Sequence, residues 1–342
     1  MKVAIIATPI SGGGNVRARA FKTYLESKNH EVELITINES WFSEIGFFYQ
    51  RFKAHLTDKE PGLMREIARR IEKKIKKANY QAVIGIESLF SYVLTKNLDC
   101  LKIFSWEAMG ADEVYFATNS ARTFDFERFR RFREMELEIC KNSDYVIFPW
   151  ETTENYVRKN IYDGSNFLTI RFGCCPQSKT VSHFFPPSIV SVGGLGAYWT
   201  NDELLSHLTD ISPYVIDVYG NSQPRKKHRL NYKGFAPSLD VLYNYQFGLN
   251  TVSKDAFRRN HFSSRILAYL AYGLPVLSPD WMQLSHELKG CLPYNEDNFV
   301  DLVDKYSDRN LWEKLSKDAY AQARDLDWNI TLKPLEKLIS ET

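Results

Sequence analysis

Long apolar runs are missing from this chain. Nowhere do about 18 apolar residues follow one another, the least that a membrane-crossing helix needs. Cysteine is sparse: Cys100, Cys140, Cys174, Cys175 and Cys291 are odd in number, scattered and without CxxC spacing. That argues against a disulfide framework or a zinc site and for a reducing compartment. The 7 histidines form no HxH or HExxH pair, so no metal is expected from them. Charge of one sign is not in excess either. The 44 Lys and Arg face 42 Asp and Glu, leaving +2, so no global field draws in a polyanion and no nucleic-acid partner is expected. The apolar run after Met1 is too short for the core of a secretion signal and reads as a buried strand ending at Pro9. A cytoplasmic protein, or one peripheral on the inner membrane face, is expected.

What the chain does have is core material and rhythm. At 342 residues with 44% hydrophobic content it is too long for one ordinary α/β core, and two domains of about 150 residues fit better. Apolar runs of four to six residues alternate with amphipathic helical stretches through 1–172, the pattern of a parallel sheet covered on both faces. A break follows at 173–187, with Pro176, Pro186 and Pro187 and few helix formers, and reads as a linker. The alternation restarts over 188–325, and 326–342 ends in a last helix. The expected fold class is therefore α/β, with two Rossmann-like domains facing across a cleft and ligands at the carboxyl ends of the strands.

Two glycine loops stand at such ends. The first, Gly12-Gly13-Gly14, follows the first strand; it is not GxGxxG, because Arg17 stands where the third glycine belongs, so a dinucleotide site is disfavoured. The second, Gly193-Gly194, follows the strand at 189–192. Such loops let backbone approach an anion closely.

The most informative stretch begins at Asn260 and runs through Ser263-Ser264-Arg265 to Gly273-Leu274-Pro275-Val276. It reads as a serine-capped helix, closed by a glycine and followed by a strand. Its first-turn amides, two hydroxyls and Arg265 would converge on one anion, and a diphosphate suits that set.

This stretch resembles the donor-binding signature of GT-B glycosyltransferases, especially the retaining family 4 (glycosyl transferases group 1). There a Ser-Lys or Ser-Arg pair opens a helix running into EYLA-x-G-x-P-V. The match here is Ser264-Arg265 followed by Tyr269-Leu270-Ala271-Tyr272-Gly273-Leu274-Pro275-Val276. Tyr232-Lys233-Gly234-Phe235 is similar to the family's G-x-(V/F) turn that holds the base, and Asp327-Trp328-Asn329 to the motif before its last helix. The resemblance implies transfer of a sugar from a nucleotide-diphosphate sugar to an acceptor hydroxyl, on a lipid-linked or polysaccharide precursor. Gly13, Gly14, Gly193, Gly194, Phe235, Asn260, Ser263, Ser264 and Arg265 would bind the donor, with no cofactor and no metal. One departure stands out. The second family glutamate, which binds the donor ribose, is Ala268 here, and Glu287 is a substitute on that side. An alanine accepts no hydrogen bond, so a catalytically degenerate nucleotide-binding or scaffold protein is the alternative.

For catalysis, Glu107 and then Asp112, after the strand at 101–105, are the expected carboxylates facing the acceptor. Asp325-Leu326-Asp327 has DxD spacing but is assigned no metal. Seven Arg or Lys between 65 and 77, with Leu63, Ile67, Ile71 and Ile75 on one face, sit downstream of the aromatic run 41–49. Together, 41–77 could meet an anionic membrane surface, or form a core-packed helix with a wet back. The basic run 225–229 could reach donor phosphates, though it also reads as a solvated loop.

Overall fold

The computed structural model describes residues 1–7, 13–36, 60–87, 91–107, 111–112, 126–195, 200–221 and 230–341. The sequence features at 41–59 and 225–229 lie outside the described residues.

The chain divides into two compact units, Met1–Phe172 with Thr331–Thr342, and Gly173–Ile330. In the first, strands β1 (Lys2–Ala7), β2 (Glu31–Thr36), β3 (Ala82–Ile86), β4 (Leu101–Ser105), β5 (Tyr145–Phe148) and β6 (Phe167–Thr169) form a sheet of order β2-β1-β3-β4-β5-β6. Every pairing in it is parallel. Each residue of β3 is buried, as a strand covered on both faces requires. Helices α1 (Gly13–Ser27), α2 (Glu60–Ala78), α3 (Phe126–Asn142) and α4 (Glu151–Asn160) connect the strands. On α2, Ile67, Ile71 and Ile75 recur at helical spacing and are fully buried.

The second unit repeats the plan with a different strand order. β7 (Ser188–Val192), β8 (Val215–Tyr219), β9 (Asn231–Gly234), β10 (Phe247–Leu249), β11 (Val276–Pro279) and β12 (Cys291–Tyr294) lie as β12-β11-β10-β7-β8-β9. These pairings too are parallel. The chain reverses direction across each sheet between the first strand and the neighbour on its far side, at β1/β3 and at β7/β10. Ligands of doubly wound sheets gather at such points.

Helices α5 (Asp202–Ile211), α6 (Ala256–Asn260), α7 (Ser264–Ala271), α8 (Leu284–Glu287), α9 (Phe299–Tyr306), α10 (Arg309–Asp325) and α11 (Trp328–Thr331) belong to the second unit or close it. The last helix, α12 (Lys333–Ser340), is counted with the first unit and buries Leu335 and Ile339. Helix α7 ends on a Schellman motif. Gly273 has φ +68°, the Leu274 amide bonds Tyr269 O at 3.1 Å, and the Gly273 amide bonds Leu270 O at 2.8 Å.

The proline-rich stretch 173–187, expected to be a linker, is hydrogen-bonded along the second unit. The Gln177 and Val181 amides donate to Ala271 O and Tyr272 O, each at 2.9 Å, and the Cys174 amide to Leu326 O at 2.8 Å. The end of α7 leaves carbonyls without helical partners, and this stretch supplies the missing donors.

Candidate functional site

Three glycines close the carboxyl ends of β7, β8 and β9 side by side. The Gly193 amide extends the ladder to Tyr219 O (3.0 Å), and the Gly220 amide reaches Gly234 O (3.0 Å). The Gly193 amide is therefore spent within the sheet. That corrects the expectation that it faces an anion; its contribution is space. At φ +154°, a Cβ built on Gly193 would lie 2.3 Å from Nη2 of Arg265, so the guanidinium rests against the bare backbone. Phe235 follows Gly234 (φ +86°) and is 72% exposed, an unsatisfied apolar face at the edge of the same strand ends.

Arg265 stands in the first turn of α7, whose N-cap is Ser263 in extended conformation. The expected serine cap does not form: Ser263 makes no side-chain bond to a first-turn amide. Its hydroxyl lies 3.3 Å from Oδ1 of Asn250 instead. Asn250 is fully buried just past β10, and its Nδ2 donates to Ser278 Oγ at 3.1 Å. Ser285 Oγ continues the chain to Ser278 at 2.8 Å, and Tyr294 Oη bonds Asn250 O at 3.1 Å. A closed polar network thus draws the natural capping group away from the helix. The positive end of α7 keeps amides without a side-chain cap, beside a guanidinium with no ion-pair partner among the described residues.

Ala268 shares the accessible face of α7 with Ser264 and Arg265, while Ile266, Leu267, Tyr269 and Leu270 are buried. The remaining donor-side candidates are more dispersed. Asn260 is the half-buried last residue of α6. Glu287 is exposed at the end of α8, where Gln283 Nε2 donates to it at 2.9 Å. Asp327, of the DxD spacing, accepts from the Asn329 amide at 2.7 Å. No cluster of three or more His, Cys, Asp or Glu able to hold a metal occurs among the described residues.

In the first unit, Gly13 and Gly14 lie inside the first turn of α1, not in the loop before it. Glu87, one residue beyond β3, packs against this turn: a Cβ built on Gly14 would lie 2.2 Å from its Oε1, so a larger residue at 14 would have to displace the Glu87 side chain. Glu87 has φ +65°, a left-handed conformation that costs a non-glycine residue about 1–2 kcal/mol. It stands at the β1/β3 reversal of the sheet and was missed in the sequence, because a lone Glu after an apolar run carries no pattern.

Glu107 and Asp112, the expected catalytic carboxylates, are buried rather than presented on an open loop. Glu107 Oε1 is 2.9 Å from Nε of Arg17, itself fully buried, and Ser105 Oγ also donates to it. Burial pushes the Glu107 carboxyl up, opposed by Arg17, and pushes the Arg17 guanidinium down, opposed by Glu107. Arg17 Nη2 further donates to Ile170 O at 2.6 Å, and its charge lies over the rings of Phe21 and Phe172. Asp112 accepts from Arg133 Nη2 at 2.6 Å, and Arg133 also faces Glu136 at 3.2 Å. Both carboxylates brace the unit from within.

Among its described residues, helix α2 turns its apolar face inward and its charged back outward. Ile67, Ile71 and Ile75 are buried in the unit, while Arg65, Arg69, Lys73, Lys76 and Lys77 are exposed. The three isoleucines of that face are thus taken up by the core of the unit. No helix among the described residues is long and apolar enough to cross a membrane.

No family model matches the chain, and no curated protein matches it by sequence. Solved structures match it by shape over its whole length. Sucrose-phosphate synthase from Thermosynechococcus elongatus superposes with a TM-score of 0.76 at 14% identity, covering 100% of this chain and 98% of that one. HepE of Anabaena, solved with UDP and glucose, gives 0.64 at 13% identity, and the lipopolysaccharide outer core galactosyltransferase WaaB gives 0.61 at 12%, each covering 100% of both chains. At such identities the likeness speaks for the fold, which is the GT-B fold of these glycosyltransferases.

Proposed function

We propose that this protein is a glycosyltransferase that takes a sugar from a nucleotide-diphosphate donor and passes it to an acceptor hydroxyl. The observation that carries the reading is the start of α7. A helix end stripped of its side-chain cap stands beside Arg265, whose guanidinium lies on Gly193 with no carboxylate partner among the described residues. Forked donors and uncapped amides suit a diphosphate, the leaving group on which negative charge develops during sugar transfer. Stabilising that charge lowers the barrier directly. Phe235, exposed at the end of β9, is the surface on which the base stacks. On the acceptor side the carboxylate proposed is Glu87, which stands at the β1/β3 reversal in a left-handed conformation.

The neighbours support the reading by their own chemistry. HepE was solved with UDP and glucose, and WaaB is named as a galactosyltransferase. The experiment is calorimetry with UDP, GDP, ADP and dTDP, followed by transfer assays with the matching nucleotide sugars. Wild type should bind one diphosphate, and Arg265→Ala should bind it at least tenfold more weakly, the loss of about 1.4 kcal/mol. Equal affinity in the two proteins removes the site. Ala268 motivates the second reading, a nucleotide-binding protein without turnover. Binding without sugar release from any donor would select it.

A further inference from the structure

The second sheet comes apart at one place, and a single hydroxyl spans the opening. β7 and β10 pair only at Phe247↔Ile189 and Gly248↔Val190. Their outer partners run on together. β7 stays on β8 as far as Val192↔Tyr219, and β10 stays on β11 through Leu249↔Leu277, with the Asn250 amide still bonding Leu277 O at 2.9 Å. The two inner strands therefore part just below Gly193 and Asn250.

Tyr269 of α7 fills the parting. Its Oη accepts the Val192 amide at 2.8 Å and lies 3.4 Å from Leu249 O, to which it donates. One phenol thus satisfies both strands where ladder bonds would otherwise draw them together. The ring is fully buried and lies on Gly248, where a Cβ would come within 2.5 Å of its carbons. No other residue at 248 leaves room for it. The aromatic ring of a helix residue, a glycine beneath it and two backbone groups bonded to its hydroxyl meet at the β7/β10 reversal.

We propose that Tyr269 is a positioning residue of the donor site, a wedge that holds β7 and β10 apart so that the Gly193 turn and the start of α7 face one diphosphate. The inference rests on the donor-site reading above. Tyr269 touches no ligand in this account; it acts through Val192, which leads into Gly193, and through Leu249, which leads into Asn250 and so to Ser263. Without the hydroxyl, the ring still packs on Gly248, but the two lips of the opening lose their common tie.

The test compares Tyr269→Phe with wild type by calorimetry, using UDP against UMP, and likewise GDP against GMP, ADP against AMP and dTDP against dTMP. In wild type the diphosphate of the recognised base binds better than its monophosphate. In Tyr269→Phe that preference should shrink about tenfold, with monophosphate affinity nearly unchanged, because only the seat of the second phosphate is displaced. A merely structural hydroxyl would lower the melting temperature and leave the preference alone, and that result overturns the wedge while the donor site stands. Failure of wild type to bind any diphosphate instead defeats the donor site itself. Should the variant melt too low to titrate, amide exchange in wild type decides. The Val192 amide must be protected in the free protein, and rapid exchange there overturns the proposal.

Discussion

The guanidinium of Arg265 occupies the space that a side chain on Gly193 would need, since a Cβ there would come within 2.3 Å of Nη2. Gly193→Ala should therefore act at a distance in sequence, by pushing Arg265 off the strand end. The loss of diphosphate affinity is expected to approach that of Arg265→Ala, about tenfold or more, with little further loss in the double variant. Calorimetric titration of the two single variants and the double variant measures the coupling; additive losses would show that the two residues act separately.

A second expectation concerns the missing cap. Ser263 sits at the N-cap of α7 and spends its hydroxyl on Asn250. Ser263→Asp offers a carboxylate that favours the positive helix end by about 0.3–1 kcal/mol, raising the melting temperature by a degree or a few. The same charge repels a diphosphate, so nucleotide affinity should fall as stability rises. Thermal denaturation and titration of one sample read both. A variant that gains stability and keeps its affinity would show that this helix end takes no anion.

What the sequence revealed here and what it hid have different physical causes. The two sheets were legible because buried parallel strands must be short apolar runs between amphipathic helices, as Ala82–Ile86 between α2 and β4 illustrates. Helix α7 was legible because its glycine stop and its Ser-Arg start lie within ten residues of each other. Glu107 misled because its position after β4 in the chain does not reveal Arg17, ninety positions earlier, folded against it at 2.9 Å. Glu87 and Asn250 were invisible for the same reason. Their significance lies in a left-handed φ and in partners brought from other strands, neither of which leaves a local pattern.

Glu87 offers a test in which stability and function should part. Its φ of +65° is a conformation glycine adopts freely, so Glu87→Gly relieves about 1–2 kcal/mol of strain against about 0.5–1 kcal/mol of added chain entropy. The melting temperature should stay level or rise. On the proposed role of this carboxylate at the acceptor, sugar transfer should drop sharply while diphosphate affinity is preserved. Glu87→Gln should lose transfer likewise. If Glu87 merely caps α1, the glycine variant will melt lower and turn over normally.

The buried pair at the heart of the first unit makes the last prediction. Arg17 is fully buried and Glu107 nearly so, and each is the other's countercharge at 2.9 Å. Removing one partner leaves a charge in an apolar interior, at a cost of about 3–5 kcal/mol. Arg17→Met and Glu107→Gln should each lower the melting transition of the first unit severely. The double change to Arg17→Met with Glu107→Leu abandons both charges, and should recover most of that loss, since paired burial is itself expensive. Were Glu107 a catalytic base, the double variant would be stable and dead. As an internal brace it can be replaced, and sugar transfer should survive in the double variant, which a transfer assay would record.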